Sequence, residues 1–153
     1  MKRFKFRLDP VLRYRRYREE LALMELARAR RALVLSEKKL EQIQQTRQGV
    51  MMDLDARQAE RLEVNRYRIY RAYLKGLGAE IETEKEHLAD IGREVRDKYE
   101  TAEANRISRE TLQWVRQTQY TDYLQMSDRA EQKGAEELIA LSKRSGVDDT
   151  PCP

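Results

Sequence analysis

The stretch VMMDLDARQAERLEVNRYRIYRAYL, Val50–Leu74, decides the fold. Val50 and Leu54 close one heptad stripe, which begins upstream as Leu26, Ala29, Leu33, Ser36, Leu40, Ile43 and Arg47. Tyr67, Tyr70 and Leu74 open another, which continues as Leu77, Ile81, Glu84, Leu88, Ile91, Val95, Lys98 and Ala102. Each stripe alternates steps of three and four, the spacing of a coiled-coil seam. The two are out of phase. Carried forward, the first frame lands on Arg61 and Arg68, beside the apolar candidates Leu62 and Tyr67. The frame therefore slips between Leu54 and Tyr67, as a turn between two helices or as a stutter in one rod.

Antiparallel pairing favours the turn. If it centres near residue 62, paired residue numbers add to about 124, with a positions facing d positions. Leu54 then meets Tyr70, Val50 meets Leu74, Ile43 meets Ile81, Leu33 meets Ile91 and Ala22 meets Ala102. Ser36 falls opposite Leu88, and the mismatches are Leu40 with Glu84 and Leu26 with Lys98. Large apolar side chains buried along such a row contribute roughly 1.5–3 kcal/mol each. Gly76 and Gly78 are the more visible breakers, yet the second stripe keeps phase straight through them. A helix tolerates each at a cost of about 1 kcal/mol.

The expected fold is all-α: an elongated antiparallel two-helix coiled-coil hairpin with a longer second helix. Asp9-Pro10 supplies a helix start, with Asp at the N-cap and Pro at the first helical position. Arm one spans 10–54, the turn 55–64, arm two 65–145, and 146–153 is a frayed tail. Asp53, Asp55 and Asn65 offer capping oxygens in the turn. The first arm runs out near Pro10, so residues from 113 on overhang without a partner. The runner-up is a continuous rod that dimerises in parallel.

Composition agrees. Charged residues are 38% of the 153, Gly and Pro are few, and Ala, Glu, Lys, Leu and Arg make up roughly half the chain, the balance of long helices. The net charge is +4. Residues 1–18 concentrate cations, including Arg13, Arg15, Arg16 and Arg18, against the single acid Asp9. No apolar run approaches the ~20 residues of a membrane span, and no apolar stretch follows the basic start as in a secretory signal. A soluble, cytoplasmic protein is expected. Cys152, the only cysteine, has no partner for a disulfide.

The sequence points away from catalysis. His87 is the only histidine, so a multi-histidine metal site is excluded, and no phosphate-binding glycine loop is present. No enzyme activity, cofactor or metal is expected. Binding features are clearer. Tyr70, Tyr73 and Leu77 sit close to the turn, with Tyr73 off the seam. Trp114, Tyr120, Tyr123 and Leu124 lie on the overhang, where exposed aromatics suit a helix-in-groove contact. Arg66, Arg68 and Arg71 alternate with Tyr67 and Tyr70, but acids are dense on both sides and no nucleic-acid motif is visible.

The opening Phe4-Lys5-Phe6-Arg7-Leu8-Asp9-Pro10-Val11-Leu12-Arg13 resembles the start of the flagellar export protein FliJ family. Tyr70-Arg71-Ala72-Tyr73-Leu74-Lys75-Gly76-Leu77 resembles that family's aromatic motif after the hairpin turn. Arg129-Ala130-Glu131-Gln132-Lys133, followed by Glu136-Glu137-Leu138, resembles its C-terminal segment. The turn departs from the family in lacking Gly and Pro. The resemblance implies a component of the flagellar type III export apparatus, serving motility. It implies a hairpin like the central stalk of rotary ATPases, peripheral at the inner face of the membrane, that binds and promotes the hexameric export ATPase. It further implies contact with the export gate membrane protein and escort of export chaperones. On that basis Tyr70, Tyr73 and Leu77 face the gate, the arginines at 13, 15, 16 and 18 meet the ATPase ring, and Trp114 to Leu124 takes chaperones. The isolated chain is expected to be a monomer that does not bind nucleic acid. The alternatives are a stalk protein of a related injectisome, a basic coiled coil on nucleic acid or a membrane surface, and a structural homodimer.

Overall fold

The computed structural model describes residues 3–145. Among these residues there are two helices and no strand: α1, Asp9–Ala59, and α2, Val64–Ser145. They form an all-α antiparallel hairpin, and α2 is the longer at 82 residues against 51. The tail expected at 146–153, with Cys152, lies outside the described residues.

Each helix boundary has a local cause. Leu12 N–H donates to the Leu8 carbonyl at 2.9 Å, so the helix begins at Asp9, one residue before the expected arm. Pro10 still sits in the first turn, where its missing N–H is not needed. The Asp9 carboxylate turns to Arg13, one helical turn on, at 3.6 Å. At the far end α1 continues past Leu54 to Ala59. Nothing breaks it there, and Asp53, instead of capping a turn, pairs with Arg57 at 3.1 Å inside the helix. The last turn tightens through Glu60 N–H to the Arg57 carbonyl at 3.1 Å and Arg61 N–H to that of Gln58 at 3.3 Å. Arg61 then takes φ 65°, the left-handed conformation that glycine normally fills after a helix. Reversal therefore needs only residues 60–63. Gly76 and Gly78 are helical.

Two compact units divide the chain. The larger, Tyr17–Arg106, contains the turn and both stripes. Ala22, Leu26 and Ala102 form one apolar cluster, joined by Val95. Ile43, Leu77 and Ile81 form another, joined by Leu40 and Val50. Burial follows the first stripe from Leu26 to Leu54 with one exception, the exposed Arg47. Cross-helix contacts fall in descending order on α1 as they rise on α2. Tyr70 meets Asp53, Glu84 meets Ser36 and Lys39, and Lys98 meets Glu25. The direction is antiparallel, with the turn setting the register.

The polar layers differ from the simple pairing. Glu84 does not simply face Leu40, nor Ser36 Leu88. The Ser36 hydroxyl donates to Glu84 at 2.7 Å, and Lys39 reaches the other carboxylate oxygen at 2.7 Å. A seam residue packs between two residues of the opposite helix, and a buried carboxylate takes the donors among its neighbours. Lys98, at the edge of the seam, reaches the exposed Glu25 at 2.8 Å rather than resting only on Leu26.

In the smaller unit, residues 3–6 run outside any helix and lead through a turn into the start of α1, against the part of α2 from Ile107 on. Phe6 is buried, and Leu12, 1% exposed, is the most deeply buried large side chain.

Candidate partner-binding surfaces

The closed end of the hairpin sorts its aromatic residues into different jobs. Tyr70 is half-buried, and its hydroxyl donates to Asp53 across the helices. That bond raises the Tyr70 pKa and, with Arg57 adding to it, lowers that of Asp53. Leu77 is 7% exposed and belongs to the Ile43–Ile81 cluster. Both hold the hairpin together, whereas Tyr73, 51% exposed, leaves its ring open to solvent. Ile69 stands one helical turn before Tyr73 and is 69% exposed. The pair makes a continuous apolar face on the outside of α2. The seam reading passed over Ile69, although its i, i+4 spacing to Tyr73 was the available signal.

The arginines at 13, 15, 16 and 18 are all exposed. At about 100° per residue they do not form one patch. Arg13 and Arg16 share a face, Arg13 being tied to Asp9, and Arg15 projects from the opposite side. Arg18 belongs to the larger unit, where it adds to Lys98 and Arg28 in lowering the pKa of Glu25. Exposed Tyr14 and Tyr17 lie between these cations and also escaped the sequence reading.

On distal α2 the expectation of an uncovered aromatic face is corrected in part: Phe4 rests on it, while Tyr120 keeps 41% of its surface exposed. Phe4 packs edge-on against Tyr120 at 5.2 Å and tilted against Tyr123 at 5.6 Å. Tyr120 and Tyr123 stack at 6.5 Å. The chain before α1 therefore returns over this face, and Tyr123 is half-buried. The alternation Phe4-Lys5-Phe6-Arg7-Leu8 was the overlooked signal of an extended segment with one apolar side. Trp114 stays outside this cluster at 69% exposed, with Ile107 two turns earlier on the same face also exposed, and Leu124, one turn after Tyr120, remains exposed.

Among the described residues, no helix is long and apolar enough to cross a membrane, and no three His, Cys, Asp or Glu residues gather as metal ligands. No curated protein matches the chain. Among solved structures the chain is similar to a YscO homologue, CT670, from Chlamydia trachomatis. That likeness has a TM-score of 0.58 at 18% identity and covers 97% of this chain and 100% of the other, so the helical hairpin fold is shared. The family model described as flagellar FliJ protein matches residues 4–144, which take in the opening segment, both helices and the turn. The chain belongs to the flagellar FliJ protein family.

Proposed function

We propose that this chain is a stalk-like coiled-coil component of the flagellar type III export apparatus. It binds and promotes the hexameric export ATPase, contacts the export gate and escorts export chaperones. It works peripherally at the inner face of the membrane, as a monomer until it meets its partners. The family match over residues 4–144 carries this reading. The exposed arginines at 13, 15, 16 and 18 suit the ATPase contact, because long-range attraction orients an encounter without demanding one fixed geometry. Tyr73 and Ile69 suit the gate contact, as an apolar pair held on a rigid helix. Trp114, Tyr120 and Leu124 are exposed and suit the chaperone contact.

The test is ATP turnover by the purified export ATPase with and without the chain. Stimulation that falls when Arg15 and Arg16 become Glu supports the proposal. No binding and no stimulation would overturn it.

A further inference from the structure

One flank of the larger unit carries a groove between the helices, away from the Ile69–Tyr73 face. Arg47, Arg71 and Lys75 form its rim, and Met51, Leu74 and Gly78 line its apolar part. Lys39, Lys85 and Lys98 each find a carboxylate. Arg47, Arg71 and Lys75 have none among the described residues. On its own helix, none of the three has an acid three or four positions away. Arg71 and Lys75 instead stand at i, i+4 to each other, a like-charge pair that weakens a helix. Arg47 occupies a seam position yet lies exposed, which opens the groove.

Gly78 lies on this groove, and like Gly49, Gly76, Gly92 and Gly134 it has open space where a Cβ would stand. It sits in mid-helix, and a Cβ built there meets nothing within 4 Å. Nothing in this chain requires glycine at that place, although glycine costs helix stability. Its bare backbone keeps the groove deep.

A second, more polar groove shares Arg47 and Met51 and continues past Gln44, Gln48 and Ile81 to the ion-paired Glu82 and Lys85. From Arg71 to Lys85 the two run about 20 Å along α2, or about four helical turns. Cations on the rim, an apolar floor and this length define an occupant. We propose that an acidic amphipathic helix of a partner protein docks here as a third helix. A flat lipid surface would not reach the floor, and nucleic acid would not use it. The inference stands independently of the export assignment.

The test uses the full chain and a synthetic helix of about four turns, with leucines on one face flanked by glutamates. Binding is followed by fluorescence anisotropy. The expected result is saturable binding that weakens with added salt and is lost when the peptide's glutamates become lysines. Gly78→Leu fills the floor while improving helix propensity, so circular dichroism stays helical and affinity falls about tenfold or more. Arg71→Glu with Lys75→Glu has the same effect. Binding that survives these variants, or no binding by the wild type, overturns the proposal. So does preferential binding to phosphatidylglycerol vesicles or duplex DNA through the same residues.

Discussion

The Ser36 hydroxyl and the Lys39 ammonium grip the two oxygens of Glu84 from the opposite helix, each at 2.7 Å. Glu84 is 5% exposed and lies between the Ile43–Ile81 cluster and the Ala22–Ala102 cluster. Sliding the helices by one turn would strand a buried carboxylate, so this layer selects the register. Glu84→Leu with Ser36→Leu should raise the melting temperature and broaden the population of registers. Cysteine cross-linking between arms would then give mixed pairs in place of a single product.

Stability should depend on pH through the same pairs. Lys39 and Ser36 lower the Glu84 pKa, Lys98 lowers that of Glu25, and Tyr70 lowers that of Asp53. Carboxylates held below their ordinary values stabilise the fold above about pH 4.5, and the benefit is lost as pH falls through the folded pKa. Lys39 and Lys98 are raised, so their share is present below about pH 10.5 and lost as pH climbs through the folded values. Thermal melts should show a plateau between these limits and a decline on the acid side. Glu84→Gln should make the acid decline shallower.

Leu77 and Tyr73 separate scaffold from contact. Leu77→Ala removes a buried side chain and should cost about 2–5 kcal/mol in denaturant unfolding. Tyr73→Ala and Ile69→Ala should stay within about 0.5 kcal/mol of wild type, while weakening capture of the export gate's cytoplasmic portion. Equal loss of stability in all three would contradict the placement.

Backbone substitutions probe the turn and the helical glycines. Arg61→Gly relieves a left-handed conformation that costs an L residue about 1–2 kcal/mol, partly offset by glycine's own entropy. A modest rise in melting temperature is expected. Gly49→Ala and Gly76→Ala place a Cβ in open space and should each add about 1 kcal/mol.

The Phe4 contact can be read by ring-current shifts. Phe4→Ala should move the Tyr120 and Tyr123 ring resonances toward exposed values and speed amide exchange around Leu12. Unchanged spectra would show that the segment before α1 does not hold this face in solution.

The heptad stripes made the two helices, their direction and their rough register legible, because core spacing repeats every few residues and survives glycines. The turn was legible only approximately. Arg61 fills a place usually marked by glycine, and Asp53 to Ala59 carries no breaker, so neither end of the loop is signalled. Of the residues assigned to partners, Tyr73, Trp114, Leu124 and the arginines at 13, 15, 16 and 18 are exposed. Tyr70 and Leu77 serve the hairpin, and Phe4 packs on Tyr120 and Tyr123. Ile69, Tyr14 and Tyr17 are exposed on the outer faces, where a heptad stripe carries no signal.

By itself the sequence determined a hairpin of two long helices, since periodicity is a local property that any segment carries alone. The tertiary structure decided which polar groups meet in the seam, which aromatic face the first residues cover, and that Arg47 leaves its groove open. Those outcomes depend on fractions of a helical turn and on contacts between residues far apart in the chain. No repeat of three and four encodes them.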